Sequence, residues 1–153
     1  MRIDKFTTQL QSALADAQSL AVGQDHQAIE PQHLFAALLA QEHAAAASLI
    51  QRAGGNPGAL RNALRQAIER LPKVEGTPGE VHVSRGLTAL LNVADKLAQK
   101  RGDQFIASEM FMLAAMGDKG ETGRLLKQAG VSLAALEAAI EQVRGGQNVT
   151  GQE

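Results

Sequence analysis

The chain has 153 residues, of which 44% are hydrophobic, 20% are charged and 3% are aromatic, and its formal net charge is −1. This length suffices for one domain with a buried interior, or for two very small units that share a core. Nucleic-acid binding needs a basic surface and aromatic side chains for stacking, so this composition argues against a nucleic-acid partner.

The residue types also restrict the location and the fold class. Cysteine is absent, which excludes disulfides and thiolate metal sites and fits a reducing, cytoplasmic location. The first ten residues carry three charges and no apolar run, unlike a signal peptide, and no later stretch suits a membrane span. Abundant Ala and Leu favour helix over sheet, so we expect an all-α fold without membrane contact.

The first half of the chain shows the apolar spacing of four helices. Their expected starts follow N-cap and first-turn preferences, and their expected ends follow the preference for glycine after a helix. The predicted starts are Asp4, Glu30-Pro31 and Asn56-Pro57, the third helix runs through SLIQRA, and the predicted ends include Gly23 and Gly54-Gly55.

The second half begins after residues 72–81 (PKVEGTPGEV), whose two prolines and two glycines predict a linker. Helical spacing resumes after Ser84 and continues through SEMFMLAAM and RLLKQAG, and Ser132 is a suitable cap for the last helix. The end of the chain, 145–153 (GGQNVTGQE), is glycine-rich and polar, which predicts a flexible tether.

The two halves repeat each other. The stretch LAVGQDHQAIEP beginning at Leu20 matches LAQKRGDQFIAS beginning at Leu97, an offset of 77 that becomes 76 after the second helix. Such self-similarity indicates a duplicated structural unit. We therefore predict about eight helices in two tandem, pseudo-symmetric four-helix repeats, with repeat one at 1–71 and repeat two at 82–144.

No arrangement of residues typical of an enzyme is found. The four histidines lack metal-ligand spacing, and His33, near an apolar helix face, is expected to have a structural role. The glycine-rich DKGETG lacks the Lys-Ser/Thr end of a phosphate-binding loop. Asp103 and Glu109 resemble a carboxylate pair, but acids are common near helix N-termini for electrostatic reasons. We expect no catalytic residues, no metal site and no cofactor in this chain.

The copies differ in a way that bears on binding. Asp16 of repeat one corresponds to Val93 of repeat two, and His33 corresponds to Met110. Together with Leu97, the two apolar replacements predict an apolar strip in the second repeat only. Two interpretations are open: the strip is additional core, or it forms a groove that binds extended apolar peptide, for which methionine is well suited.

Four segments resemble the Clp amino-terminal domain, and in particular that of the ClpB-type AAA+ protein disaggregases. They are ALADAQSLAVG, IEPQHLFAALL, RLPKVEG and LAQKRGDQFIASEMF, and the resemblance extends from residue 1 to about residue 148. The family is an ATP-driven hexamer, using ATP and Mg²⁺, that extracts polypeptides from aggregates together with a DnaK-type chaperone. The resemblance implies that this chain is the domain that recognises unfolded or aggregated proteins, without its ATPase modules, and that 145–153 begin the tether toward them.

The resemblance also implies which residues bind the client polypeptide. The apolar positions are Val93, Leu97 and Met110, and the polar positions are Thr7, Asp103 and Glu109. Leucine is expected at positions 93 and 110, so both are departures that remain apolar. Ala107 stands where a capping serine is typical, which leaves either Ser108 as the cap or a weakened cap.

Two other functions compete with client binding. The domain could instead dock adaptors for a protease-linked Clp unfoldase, a role that this chain alone does not distinguish. A hydrolase or nucleotide-binding domain is the third hypothesis, for which the sequence offers no suitable set of residues. An isolated domain of this kind is expected to be a monomer, within a parent protein that is a homohexamer.

Overall fold

A computed structural model describes residues 2–42, 45–74 and 81–153. Within these ranges the fold is all-α with eight α-helices, as predicted, and also contains two very short strands. The elements in chain order are a 3₁₀ turn (Ile3–Lys5), α1 (Thr8–Gly23), β1 (Ala28–Ile29), α2 (Pro31–Ala40), α3 (Ala45–Arg52), α4 (Pro57–Glu69), β2 (His82–Val83), α5 (Arg85–Arg101), α6 (Ser108–Met116), α7 (Glu121–Gln128) and α8 (Leu133–Arg144).

Most of the predicted helix starts are confirmed, but the first one is wrong. Asn56, Ser84 and Ser132 each cap the helix expected, with the side chain accepting a backbone N–H. The cap of α1 is Thr7, whose Oγ1 accepts the N–H of Leu10 at 3.3 Å, rather than Asp4. Because the residue before Thr7 pairs in an extended conformation with the other repeat, α1 has no room to begin earlier.

The start of α6 settles the question raised by Ala107. Ala107 occupies the N-cap position and makes no side-chain cap hydrogen bond. The Oγ atom of Ser108 is buried and has no hydrogen-bond partner within the described residues. The cap is therefore weakened rather than transferred to Ser108, and the buried surroundings of α6 hold the helix in place.

The two repeats are joined by reciprocal strand pairing. In repeat one, β1 pairs in parallel with β2, which precedes the first helix of repeat two, and Ile29 O accepts the N–H of Ser84 at 3.0 Å. The equivalent bond, 77 positions away on each side, joins Ile106 O to the N–H of Thr7, also at 3.0 Å. Each repeat thus completes a backbone ladder in the other, so the copies form one fold with one core.

That core lies around α2 and α6, whose residues are almost entirely buried. The rings of Phe35 and Phe111 meet there with centroids 5.9 Å apart at an angle of 50°, a favourable tilted aromatic contact. The start of the predicted linker contacts the loop after α1, where Val74 N–H donates to Asp25 O at 2.9 Å, and residues 75–80 lie outside the described residues.

His33 has the structural role expected from its sequence position. Its Nδ1 accepts the N–H of Glu30 at 2.8 Å, which completes a capping box at the start of α2. The ring proton therefore sits on Nε2 and is donated to Nδ1 of His26 at 2.9 Å. Burial, and then the neighbouring His26, lower the pKa of His33 to about 4, while burial and then the charge of Lys73 lower the pKa of His26.

This pair makes folding stability dependent on pH in the mildly acidic range. An unfolded histidine has a pKa of about 6.5, so below that value the unfolded chain binds more protons than the folded chain. Stability is therefore complete above the unfolded pKa and falls as the pH approaches the folded pKa of His33. We expect the contribution of His33 alone to lower the free energy of unfolding by about 2 kcal/mol when the pH falls from about 7 to about 5. Urea denaturation followed by circular dichroism measures this change.

The matched variants are His33→Gln and His82→Gln. Glutamine suits the capping box but does not titrate, so His33→Gln should remove most of this pH dependence. His82 is exposed, and His82→Gln should leave the pH dependence unchanged. An unaltered pH dependence in His33→Gln would assign the acid sensitivity to other groups.

Candidate functional site

The difference between Asp16 and Val93 is a difference on the protein surface, as the sequence comparison suggested. Asp16 is exposed on α1, and Val93 on α5 retains 43% of its surface. Leu97, one helical turn beyond Val93, is half-buried against the core. A single exposed apolar side chain is ordinary, but a contiguous exposed apolar patch marks an interaction site, so the surroundings of Val93 decide its meaning.

Val93 and Leu97 line an open groove of about 850 Å³ between α5, the end of α6 and α8. Its floor is apolar and buried, while Val93 and Leu133, which is 46% exposed, stand at the surface. We call this feature the α5–α8 groove. It is lined by Leu90, Val93, Leu97, Lys100, Arg101, Leu113, Ala114, Gly117, Asp118, Lys119, Leu133, Glu137 and Glu141.

Charged side chains of both signs surround the apolar floor. Arg101 and Glu141, both lining the groove, form an ion pair between α5 and α8. The groove is also lined by two further basic residues, Lys100 and Lys119, and by two further acidic residues, Asp118 and Glu137. Because neither sign dominates, the groove is suited to apolar contact more than to selecting a charged ligand.

Repeat one carries different chemistry at the equivalent positions. Asp16 replaces the valine, and Arg61 stands where the offset of 76 places Glu137. The guanidinium of Arg61 donates to the backbone oxygen of Leu39 at 3.1 Å, so it covers the end of α2. Duplication therefore supplied two similar helix pairs, and side-chain replacement left the apolar one in repeat two.

Of the two interpretations left open for the strip, the core one holds for Met110, which does not line the α5–α8 groove. Met110 and its counterpart His33 are both 0% exposed, so this difference between the copies lies in the core. The apolar run SEMFMLAAM gives α6 no polar face, and a helix of that kind is buried on all sides. Leu113, one turn later, is the α6 leucine that reaches the α5–α8 groove, and neither Leu113 nor Leu133 was predicted from the sequence.

The three predicted polar residues lie elsewhere, around the start of α1 and the turn before α6. Thr7 is buried at the α1 N-cap, and none of the three lines the α5–α8 groove. Asp103 and Glu109 converge on Arg144: Nη1 of Arg144 is 3.0 Å from Asp103 Oδ1, and Nε is 3.0 Å from Glu109 Oε2. The structure thus divides the six predicted residues: Val93 and Leu97 line the groove, Met110 lies in the core, Asp103 and Glu109 form the ion-pair cluster, and Thr7 caps α1.

Arg144 was not singled out from sequence, where it is an ordinary basic residue in the last turn of a helix. Its side chain is only 9% exposed and that of Asp103 is fully buried. Burial lowers the pKa of Arg144, but the hydrogen bonds and charges of Asp103 and Glu109 outweigh burial and raise it. The guanidinium is therefore a permanently charged link between α8, the turn at Asp103 and α6.

The predicted tether packs beside this cluster in the structure, instead of leaving the domain freely. Asp103 Oδ1 accepts the N–H of Val149 at 3.0 Å, and the N–H of Gln104 donates to Val149 O at 2.7 Å. Further along, the N–H of Thr8 donates to Gln152 O at 2.7 Å. Residues 145–153 therefore lie across the region that contains Thr7 and Asp103.

Other types of site receive no support from the described part of the chain. In the DKGETG loop, the N–H of Gly120 just before α7 is hydrogen-bonded within the loop, to Asp118 Oδ1 at 3.1 Å. Within the described ranges no three His, Asp or Glu side chains come together in a way that could hold a metal ion. Among the described helices, none combines the length and apolarity that crossing a membrane requires.

Comparison with known proteins gives similarity along almost the whole chain. The model of the family "Clp repeat N-terminal domain" matches residues 5–129. The chaperone protein ClpB of Dichelobacter nodosus is 51% identical over 146 residues, which is 95% of this chain but 17% of that protein. The chain therefore corresponds to a small part of the length of such relatives.

Solved structures share the fold at lower sequence identity. The Hsp104 N-terminal domain from Candida albicans superposes with a TM-score of 0.85 at 23% identity, covering 97% of both chains. A ClpV N-domain in complex with a VipB peptide superposes with a TM-score of 0.74 at 20% identity, covering 97% of this chain and 92% of that one. With the family model matching most of its length, the chain belongs to the Clp repeat N-terminal domain family.

Proposed function

We propose that this domain recognises clients for an ATP-dependent chaperone of the disaggregase type, by binding exposed apolar segments of unfolded or aggregated polypeptides in the α5–α8 groove. The observation that carries the proposal is the exposure of Val93 and Leu133 beside a buried apolar floor in a groove of about 850 Å³. The 51% identical relative is a chaperone, which supports the same function here.

The geometry favours weak, sequence-tolerant binding. Apolar side chains of a client gain free energy by covering Val93, Leu97 and Leu133, at about 25 cal/mol per Å² of apolar surface removed from water. A flexible client loses conformational entropy when it is ordered, and an open groove recovers only part of that cost. Six copies in a hexameric parent would compensate by raising the effective concentration of binding sites.

A similarly folded domain is known to bind a peptide. The ClpV N-domain has been solved with a peptide from VipB, so the fold is compatible with peptide binding. For this chain the site is argued from its own side chains, because similarity at 20% identity establishes only the fold.

The proposal predicts a specific effect of Val93→Asp, which gives repeat two the residue of repeat one. Affinity for a permanently unfolded, reduced and carboxymethylated model protein should fall about three- to tenfold, because a charge replaces an apolar contact surface. The free energy of unfolding should change by less than about 0.5 kcal/mol, since the side chain is 43% exposed. Fluorescence anisotropy of the labelled client measures the affinity, and urea denaturation measures the free energy of unfolding.

The matched control is Val22→Asp. Val22 is also on a helix and is 42% exposed, but it is not a lining residue of the groove. Equal loss of client binding in both variants would reflect added charge and would contradict the proposal. If unfolded client bound equally to all three proteins while a folded adaptor lost binding only to Val93→Asp, the groove would be an adaptor-docking site instead.

The remaining proposals concern the longer protein. We infer that the chain itself has no catalytic activity and no cofactor, and that ATP and Mg²⁺ act in AAA+ modules of the parent. The parent is expected to be a cytoplasmic homohexamer that works with a DnaK-type chaperone. These expectations rest on family membership.

A further inference from the structure

The two buried histidines of repeat one stand at a joint between the repeats. His26 and His33 are both buried, and the strand β1 lies between them in the chain. Ile29, at the end of β1, accepts the N–H of Ser84, which is one of the backbone bonds that link the repeats. The histidine pair and this link therefore belong to one short segment of the chain, residues 25–33.

The hydrogen bonds of the histidine pair run in one direction. The N–H of Glu30 donates to Nδ1 of His33 at 2.8 Å, and Nε2 of His33 donates to Nδ1 of His26 at 2.9 Å. The proton of a neutral His26 is consequently on Nε2, an atom that is buried and has no hydrogen-bond partner within the described part of the chain. Both rings must be neutral for the two bonds to form together.

A proton that enters the pair breaks one of these bonds. A protonated imidazole has two N–H donors and no acceptor. On His33 the added proton sits at Nδ1 and faces the N–H of Glu30. On His26 it sits at Nδ1 and faces the N–H of His33, unless His33 takes the other tautomer, which again places a proton opposite Glu30. Every protonated form of the pair therefore loses either the capping box of α2 or the bond between the rings.

The groups around the pair keep it neutral in the folded state. Burial has the largest effect and lowers the pKa of both rings; for His33 the neighbouring ring is the second cause, and the pKa falls to about 4. For the other ring, the charge of Lys73 also lowers the pKa, and the charges of Asp25 and Glu30 oppose this only in part. His82, on the paired strand β2, is exposed. Rings that become exposed by opening of this segment therefore bind protons more strongly than the closed pair does.

The turn before His26 is strained, and it borders a cleft. Asp25 has φ = +60°, a left-handed conformation that is unfavourable for a residue with a Cβ atom. Its C=O accepts the N–H of Val74 at 2.9 Å, at the start of the predicted linker. A cleft of about 170 Å³ lies at this contact, and its lining residues include His26, Leu71, Pro72 and Val74. Opening of this segment relieves the strained turn and gives water access to the rings.

We infer that this joint between the repeats is an acid-sensitive switch: when the histidine pair binds a proton, residues 25–30 open and release their backbone contacts with Val74 and Ser84, while the helices stay folded. The opening is local, so it differs from the loss of global stability on acidification. In repeat two the corresponding positions are Asp103 and Met110, which form no histidine pair. Mild acid therefore loosens one of the two equivalent links and leaves the other closed. The inference does not depend on the proposed client binding.

The first test determines where the protons sit in the closed pair. The side-chain nitrogen-15 chemical shifts of the four histidines at pH 7 distinguish Nδ1–H from Nε2–H tautomers. His26 and His33 should both be Nε2–H tautomers, because each Nδ1 accepts a hydrogen bond. An Nδ1–H tautomer in either ring would contradict the direction of the bonds and overturn the inference.

The second test measures local opening by amide hydrogen exchange at pH 7 and pH 5. Each observed rate is divided by the intrinsic exchange rate at the same pH, so that only the opening equilibria are compared. With a pKa of about 6.5 in the open state and about 4 in the closed state, opening at the amides of Glu30 and Ser84 should be about twentyfold more favourable at pH 5. The internal control is the N–H of Thr7, which donates to Ile106 O in the equivalent link. Its opening should change by less than about twofold.

The variant control is His33→Gln, in which glutamine suits the capping box without titrating. The amide of Ser84 should lose most of its pH response in this variant and keep it in His82→Gln; an unchanged response in His33→Gln would overturn the inference. Circular dichroism establishes that each variant is folded, and the comparison of Ser84 with Thr7 in the unmodified chain is decisive without either variant. Equal responses of these two amides to pH would overturn the inference. The same holds if Glu30 and Ser84 exchange only as fast as global unfolding, measured by urea denaturation at the same pH, allows.

Discussion

Replacing Arg144 by methionine is expected to lower the free energy of unfolding by about 3 to 5 kcal/mol. The substitution keeps much of the side-chain volume but leaves the fully buried carboxylate of Asp103 and the half-buried carboxylate of Glu109 without their shared cation. A buried charge without a partner is far more costly than the pair is stabilising. Urea denaturation followed by circular dichroism is the suitable measurement, because the chain has no Trp or Tyr.

The control for this prediction is Arg101→Met. Arg101 also pairs with a carboxylate, but Glu141 is 56% exposed and water can hydrate it after the substitution. We expect a loss of about 1 kcal/mol or less. Adding Asp103→Asn to Arg144→Met should restore part of the lost stability, because it removes the buried charge. Equal effects of Arg144→Met and Arg101→Met would mean that water reaches Asp103.

Shortening Met110 to alanine should cost about 2 to 5 kcal/mol of unfolding free energy, whereas Met110→Leu should cost less than about 1.5 kcal/mol. Met110 is 0% exposed in the core around α6, so alanine leaves a cavity and leucine nearly preserves the volume. Leucine is also the residue that the family resemblance leads one to expect at this position.

Client binding provides a separate readout for Met110. The side chain does not line the α5–α8 groove, so the folded Met110→Leu variant should bind unfolded model protein with unchanged affinity. Reduced client binding without loss of stability would mean that Met110 contributes to the binding surface. Comparing Met110→Leu with Val93→Asp therefore tests the division between core and groove directly.

The part of the fold that the sequence predicted depends on local interactions. Helix spacing, proline at the first turn of α2 and α4, and the caps Asn56, Ser84 and Ser132 all act within a few residues. The duplication was also visible, because it is a property of residue order. These signals sufficed for eight helices in two repeats, but not for Thr7 as the cap of α1, since a bridge to the other repeat determines that boundary.

The candidate site also has a part that is predictable from local sequence and a part that depends on how the helices pack. The surface position of Val93 was predictable because it lies at the edge of the apolar face of α5, where the angular position of a residue indicates its surroundings. For Met110 the choice between core and groove stayed open, because α6 is apolar on every side and nothing in its own sequence distinguishes the face toward the groove from the face toward the core. Leu113 and Leu133 come together with Val93 only after α6 and α8 have packed against α5.

The sequence alone therefore determined the all-α duplicated fold and the residue that makes repeat two more apolar at its surface, because helix formation and amphipathic faces are set by neighbours along the chain. Only the tertiary structure decided that Asp103 and Glu109 share Arg144, and that the tail returns to Thr8 and Gln104. These contacts join residues that are distant in sequence, and burial of a charge or pairing of a backbone group depends on what the folded chain brings beside it.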